Sequence, residues 1–227
     1  MRVLVTRAEP DATRTAAALV ARGHQPVVVP LQEIRPLVAP PFAAVADAVA
    51  VTSSNALRHA DPAFLSAFRL LPCFAVGNET ANAARRAGFG DVRTGPGDAR
   101  GLGNVIASAL PRGSGLAYLC GRKRKDALEL ALGEAGITVA ALETYDTVDR
   151  VPEPSEIARA ADANAVLVYS PGAARRLAAA FTGRLAGTRF VAISREAAAG
   201  LPDDWKKRTA IAAAPDEASM LRALATL

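Results

Sequence analysis

The chain repeats itself in an interleaved order, and that order leaves few architectures open. Ala-Val-Ala-Val-Thr-Ser-Ser-Asn (48–55) leads to Phe-Ala-Val-Gly-Asn-Glu-Thr (74–80), and Ala-Val-Leu-Val-Tyr-Ser-Pro-Gly (165–172) leads to Val-Ala-Ile-Ser-Arg-Glu-Ala (191–197). Thr52 to Gly77 and Tyr169 to Ser194 are both steps of 25 residues. Each unit, here B, closes on a strand, a proline and a short helix: Pro96-Gly97-Asp98-Ala99 in the first copy, Pro215-Asp216-Glu217-Ala218 in the second. Each B follows a strand–helix–strand unit A, which opens on Val3-Leu4-Val5-Thr6-Arg7 in one copy and on Ala117-Tyr118-Leu119-Cys120-Gly121 in the other. The chain reads A–B–A′–B′. Two similar domains follow, and a cleft between similar domains is a natural place for a ligand.

Short apolar runs at 3–6, 26–34, 47–51, 73–76, 91–94, 116–120, 137–144, 165–169, 189–193 and 208–213 alternate with helical patterns, among them 11–22, 78–87, 99–110, 124–135, 171–181 and 216–226. That alternation predicts parallel sheets covered on both faces. Two strands, 26–37 and 137–149, are long and turn polar at their ends, as strands leaving a domain do. Pairing A with B would cut the chain at Pro111-Arg112-Gly113-Ser114-Gly115, although this stretch also reads as a helix-to-strand turn. Pairing A with B′ and B with A′ turns the long strands into an antiparallel bridge, and their length favours this second pairing.

Hydrophobic residues make up 51% of the 227, and charged residues 22%, which is a globular composition. Arg2, Arg7, Glu9, Asp11 and Arg14 interrupt any signal-peptide core, and no charge-free run approaches the ~18 residues of a membrane span. Cys73 and Cys120 sit in apolar runs with no paired spacing and read as buried thiols of a reducing compartment, so a cytoplasmic location is expected. The net charge is +5, and only four of the 27 basic residues are lysines. Arginine forks suit carboxylates and phosphates, so an anionic partner fits, as does a plain compositional bias.

In open α/β sheets ligands gather beyond the carboxyl ends of the strands, at helix N-termini. Those positions here are Thr6-Arg7, Thr52-Ser53-Ser54-Asn55, Gly77-Asn78-Glu79-Thr80, Gly121-Arg122-Lys123, Ser170-Pro171-Gly172 and Ser194-Arg195. Nearly all are small, hydroxylic or basic. Capping alone explains any one of these loops; their recurrence is what points to binding. No glycine-rich dinucleotide loop or P-loop is present, and His24 and His59 lack partners at metal-ligand spacing. No serine or cysteine sits in a nucleophile elbow with histidine support. The densest basic run, Arg122-Lys123-Arg124-Lys125, opens the predicted helix 124–135, where a helix dipole disfavours cations unless an anion joins them. Aromatics are scarce at 5% and none interleaves with it, so a nucleic-acid surface is weakly supported. Tyr145 lies in the predicted bridge, and a phenol there can donate a hydrogen bond to a leaving oxygen or simply pack as a strand tyrosine.

Val-Leu-Val-Thr-Arg-Ala-Glu-Pro (3–10), Pro-Leu-Gln-Glu-Ile-Arg-Pro-Leu (30–37), Val-Thr-Ser-Ser-Asn-Ala (51–56), Ala-Val-Gly-Asn-Glu-Thr-Ala (75–81), Glu-Thr-Tyr-Asp-Thr-Val (143–148) and Tyr-Ser-Pro-Gly-Ala (169–173) together resemble the uroporphyrinogen-III synthase family. The matches keep the family's order over almost the whole chain. The resemblance implies two Rossmann-like (flavodoxin-like) α/β domains joined by a two-stranded linker: residues 1–35 plus 149–227, residues 38–145, and linker strands 35–38 and 145–149. It implies closure of linear hydroxymethylbilane to uroporphyrinogen III with inversion of ring D and loss of water, in haem biosynthesis. Loss of the ring A hydroxyl gives an azafulvene, which attacks the substituted carbon of ring D to form a spiro intermediate that reopens and recloses. No metal or organic cofactor is implied. The substrate is a polyanionic linear tetrapyrrole, and a monomer bound to neither nucleic acid nor membrane is expected.

Carried over by position, Tyr145 matches the tyrosine that assists departure of the hydroxyl. Thr52, Ser53, Thr80 and Ser170 match cleft hydroxyl positions. Ser54, Asn78, Gly172 and Ser194 complete the expected substrate-binding loops, and charge adds Arg7, Arg122 and Lys125. The chain departs from the family at Ser194-Arg195-Glu196-Ala197, where Gly-Pro and hydroxylic residues are common. No hydroxyl role passes to Glu196 or Ala197 there; Ser194 or Arg195 stands in. The runner-up function is a non-catalytic two-domain module that binds anions or tetrapyrroles.

Overall fold

The computed structural model describes residues 1–38 and 45–227. In chain order its elements are β1 (Arg2–Val5), α1 (Asp11–Val20), β2 (Gln25–Val28), β3 (Gln32–Pro36), β4 (Ala48–Val51), α2 (Ser54–Arg58), α3 (Pro62–Ser66), β5 (Cys73–Ala75), α4 (Asn78–Arg86), β6 (Val92–Thr94) and α5 (Ala99–Ala109). There follow β7 (Gly115–Gly121), α6 (Ala127–Glu134), β8 (Thr138–Asp149), α7 (Pro154–Ala160), β9 (Ala165–Val168), α8 (Pro171–Ala180), β10 (Arg189–Ala192), α9 (Arg195–Ala199), α10 (Asp203–Lys206), β11 (Thr209–Ile211) and α11 (Glu217–Leu224). The chain separates into two compact units, Met1–Glu33 with Val148–Leu227 (unit 1) and Ile34–Thr147 (unit 2).

Unit 1 is built on the sheet β11-β10-β9-β1-β2, parallel at every pairing. Ranked along the chain this is the order 2-1-3-4-5 of flavodoxin-like sheets, with its switch point between β1 and β9. The strands are continuous apolar runs because both faces are covered. Alternate residues serve opposite cores. Val3, Val5, Leu167 and Val191 pack under α1 and α11, while Leu4, Val166, Val168 and Phe190 pack under α8 and α9, with Phe190 stacked on Trp205 at 4.8 Å.

Unit 2 repeats the plan in the sheet β3-β8-β7-β4-β5-β6, again parallel from β8 to β6. Taking β7 and β8 as ranks one and two, the order is once more 2-1-3-4-5, with β3 added at the edge. The switch point lies between β4 and β7. Val49, Val51, Ala117 and Leu119 face α2 and α4, and Ala48, Ala50, Leu116 and Tyr118 face α5 and α6. Cys73 and Cys120 are buried and unpaired. Their burial pushes the thiols up to about 12 and about 11.

The helices begin where the repeated loops predict, because the repeat is a repeat of caps. Ser53 and Ser170 accept from the backbone N–H groups of Asn55 and Ala173. Asp98 and Asp216 accept from Gly101 and Ser219 at 2.8 and 2.7 Å. Each such cap stabilises its helix by about 1 kcal/mol.

Two expectations are corrected. The long strand predicted over 26–37 is two strands, β2 and β3, parted at Val29-Pro30-Leu31, where the pairing with β1 ends with bonds from Val29 to Val5 and from Leu31 to Thr6. Its partner over 137–149 does run unbroken as the twelve residues of β8. Hydrogen bonds from Leu37 to Thr144 and from Arg150 to Leu31 give the β3–β8 pair an antiparallel sense. The helix predicted from 124 begins at Ala127, so the basic run 122–125 lies in the β7–α6 loop and not in a first helical turn. Pro111 to Gly115 is a turn within unit 2, closed by Gly113 at φ +88 and its N–H bond to the Gly136 carbonyl. Among the described residues no helix is long and apolar enough to cross a membrane.

Candidate functional site

The switch-point crevice of unit 2 is formed where β4 and β7 end. Thr52 follows β4, and its hydroxyl shares a 2.6 Å hydrogen bond with the Tyr118 hydroxyl, whose burial pushes the phenol up to about 12. Ser53 caps α2 beside it. β7 ends at Gly121, and a bulge between Cys120 and Gly121 sets Gly121 opposite Tyr145 on β8. The Tyr145 ring lies across Gly121 so closely that an added Cβ would stand 2.6 Å from its Cζ and 2.9 Å from its hydroxyl. A glycine is therefore required at the strand end for the ring to lie where it does. Tyr145 packs its inner edge on the α2/α4 core and stays partly exposed, and the His59 ring stands 6.4 Å from it, centroid to centroid. Burial, then the charge of Arg58, lowers the pKa of His59 and favours the neutral imidazole. His59, Asp61, Phe64, Pro36 and Leu37 border an open cavity of about 390 Å³. Beneath Tyr145, buried Thr144 donates to the Ala56 carbonyl at 2.8 Å and ties β8 to α2.

The basic run near this crevice is largely neutralised from within. Arg122 bonds Glu143 at 3.1 Å and lies 3.6 Å from Asp146; Arg124 bonds Glu129 at 2.8 Å and Glu143 at 3.3 Å. The run is therefore not a set of four unpaired cations set against a helix dipole: two of the four are held by carboxylates of β8 and α6. Lys123 and Lys125 are exposed in the same loop, without an ion pair among the described residues. Ser54 is buried and donates to Glu79 at 3.2 Å. Thr80 is buried on α4, two residues after exposed Asn78 and on the opposite side of the helix. Thr52, Ser53, Arg122 and Tyr145 thus gather at the crevice of unit 2, Asn78 and Lys125 stand at neighbouring strand ends, and Ser54 and Thr80 face inward.

In unit 1 the crevice between β1 and β9 is filled by its own side chains. Arg7 bonds Asp11 at 2.7 Å, reaches Glu217 at 3.5 Å and stacks 4.1 Å over the Tyr169 ring. The Tyr169 hydroxyl donates to the same Glu217 oxygen at 2.8 Å, and Thr15 makes a short bond to it. Burial pushes the Tyr169 phenol up to about 12. Ser170 and Ser194 are helix caps, each accepting at 3.1 Å. Gly172 lies in the first turn of α8 under the Arg176 guanidinium, which bonds Gln32 at 2.8 Å and lies 3.4 Å from Asp149. Tyr118, Thr15 and Glu217 were not among the residues expected from the sequence. Tyr118 alone carried a signal, as a lone aromatic polar group in a strand of apolar residues.

Comparison with known proteins bears on the family and the fold. A family model described as uroporphyrinogen-III synthase HemD matches residues 13–222. The fold is similar to the crystal structure of uroporphyrinogen-III synthetase from Helicobacter pylori, with a TM-score of 0.66 and 18% identity over 100% of this chain and 99% of that one. It is also similar to a mutant uroporphyrinogen III synthase from the extremely thermophilic bacterium Thermus thermophilus, with a TM-score of 0.55 and 19% identity over 100% of both chains. No curated protein matches the sequence. The family match spans nearly the whole chain and both halves of the interleaved repeat, so the chain belongs to the uroporphyrinogen-III synthase family, the cyclising lyases of haem and tetrapyrrole biosynthesis.

Proposed function

We propose that the crevice of unit 2 holds the reacting end of hydroxymethylbilane and that Tyr145 is the group that helps its hydroxyl leave. The observation that supports this most is the placing of Tyr145: a phenol laid over Gly121 at a switch point, its hydroxyl beside a backbone that carries no side chain. A bilane ring A brought against that glycine meets a hydrogen-bond donor. As the C–O bond breaks, the phenol donates to the departing oxygen, water leaves, and the pyrrole nitrogen's electron pair forms the azafulvene. The substituted carbon of ring D then bonds to that carbon. Opening and reclosing of the spiro centre turns the ring, and the proton lost on closure restores the Tyr145 phenol. The pyrroles supply the nucleophile, so the chain's task is orientation, a contribution worth at best about 7–11 kcal/mol.

The donors proposed to hold the substrate's carboxylates are the Thr52 and Ser53 hydroxyls, the backbone N–H groups of α4 at Asn78, and the exposed Lys125. Arg122 acts there through a guanidinium already shared with Glu143 and Asp146. Ser170, Gly172, Ser194 and Arg7 belong to unit 1, where capping and internal pairing account for what they touch; a binding role for them is part of the same proposal. The proposal uses side chains and backbone alone, with no metal or organic cofactor. It also takes the protein to be a monomer that binds neither nucleic acid nor membrane, and to be cytoplasmic, the last of which the two buried free thiols support.

The test is to incubate the purified protein with freshly generated hydroxymethylbilane, oxidise the products and resolve the porphyrin isomers. Type III in excess of the unaided reaction is expected. Type I alone would refute the reading.

A further inference from the structure

One carboxylate in unit 1 is gripped by three donors from three elements. Oε1 of Glu217 accepts from the Tyr169 hydroxyl after β9, lies 3.5 Å from Nη1 of Arg7 after β1, and makes a short bond with Thr15 of α1. Thr15 is fully buried, so its hydroxyl has no recourse to bulk water. A guanidinium and two hydroxyls converging on one oxygen is the donor set of a carboxylate receptor. It stands at the switch point of a 2-1-3-4-5 sheet, where such sheets take ligands.

The internal repeat shows that α11 does not need this carboxylate. Asp216 caps α11 through the Ser219 N–H, as Asp98 caps α5 through the Gly101 N–H. The residue after Asp98 is Ala99, and α5 still forms over eleven residues. Glu217 therefore answers to the receptor and not to the helix. Its side chain is 34% exposed, so it can turn out to water, whereas Arg7 keeps its place through Asp11 at 2.7 Å.

We propose that Arg7, Thr15 and Tyr169 form a binding site for a small alkyl carboxylate, which Glu217 occupies in the free protein and which an acetate or propionate side chain of the substrate takes over. No covalent bond changes: one carboxylate replaces another, and Glu217 carries its charge out to solvent. Naming the incoming group rests on the tetrapyrrole reading above; the receptor does not.

The test uses the full chain with Glu217→Ala, which copies Ala99 of the other repeat. Melting is followed with sodium acetate or propionate against sodium chloride at equal ionic strength. A rise of about 2–4 °C at tens of millimolar carboxylate is expected for Glu217→Ala, absent from wild type and from Glu217→Ala combined with Thr15→Val. Equal shifts in all three, or none in Glu217→Ala, overturn the receptor. Should Glu217→Ala not fold, Glu217→Ser takes its place with the same expectation. In the isomer assay, loss of the internal competitor should lower KM for hydroxymethylbilane by about three- to tenfold. A raised or unchanged KM beside an acetate-dependent melting shift overturns the takeover by substrate and leaves the receptor. Type I product alone from wild type would fail the synthase reading while the melting shift still decides the receptor.

Discussion

Gly121→Ala separates where Tyr145 lies from what Tyr145 is. The added methyl would stand 2.6 Å from the ring's Cζ, whereas ordinary contact begins at 3.4 Å, so the ring must retreat by about 0.8 Å. The atoms in the way are the far end of one side chain, which can swing. Overpacking then costs about 1 kcal/mol, and the alanine offsets much of that by restricting the unfolded chain, because Gly121 is not among the positive-φ glycines. Stability should therefore stay within about 1 kcal/mol of wild type. A displacement approaching 1 Å of a group that must meet a leaving oxygen costs up to about a hundredfold in rate, or about 2.7 kcal/mol of barrier. The assay is the initial rate of type III formation beside the urea midpoint. Because hydroxymethylbilane closes unaided to type I, the ratio of isomers reports the loss within a single tube. A folded Gly121→Ala protein with a wild-type type III rate would refute the placement of Tyr145 at the reacting end.

Tyr145→Phe keeps the ring and removes the donor, so type III turnover should fall by about tenfold or more with an unchanged melting temperature; equal turnover makes Tyr145 structural. Gly200→Ala would put a methyl 2.5 Å from the Pro171 carbonyl oxygen and 2.9 Å from the Ala174 Cβ. Backbone cannot swing aside, and a loss of about 1–3 kcal/mol is expected in urea unfolding; a neutral result would sink that packing argument. Thr144→Val leaves the buried Ala56 carbonyl unpaired and should cost about 1–3 kcal/mol, read by the same unfolding. Cys73 and Cys120 are pushed to about 12 and about 11 from 9.0, and Tyr118 and Tyr169 to about 12 from 10.0. The folded state holds these protons more tightly than the unfolded state. Their contribution is thus complete below about pH 9 and is lost as pH rises from about 9 toward 12. The urea midpoint should fall from pH 8 to about pH 10.5, and a midpoint that rises over that range contradicts the burial of these groups.

The frame was legible because it is written in local signals. Ser53, Ser170, Asp98 and Asp216 mark helix starts by themselves, and runs such as 48–51 and 165–168 mark strands buried on both faces. What escaped depended on contacts far apart in sequence. The pairing of Arg122 and Arg124 with Glu143 cannot be read from a run of four cations, since β8 lies some twenty residues on. The meeting of Arg7 with Glu217 spans 210 residues. The break at Val29-Pro30-Leu31 likewise depends on where the partner strand β1 ends, which the apolar run around it does not reveal.

The repeat also acts as an internal control on function. What recurs in both copies serves the frame; what appears in one copy serves something else. The serine and aspartate caps recur, so capping by Ser53 and Ser170 belongs to the frame, and the substrate contacts proposed for them are a second use of the same hydroxyls. Tyr145 does not recur. Its strand runs past the point where β1 and β2 stop pairing at Val5 and Val28, and its position beyond the strand end has no counterpart before Pro30. Glu217 does not recur either, since Ala99 stands in its place. These two departures fall at the two switch points, one in each unit. A duplicated frame has therefore been given a phenol over a bare glycine in one copy and a self-held carboxylate in the other. Frame mutations should move stability in both units alike, whereas changes at Tyr145 or Glu217 should move turnover or KM first.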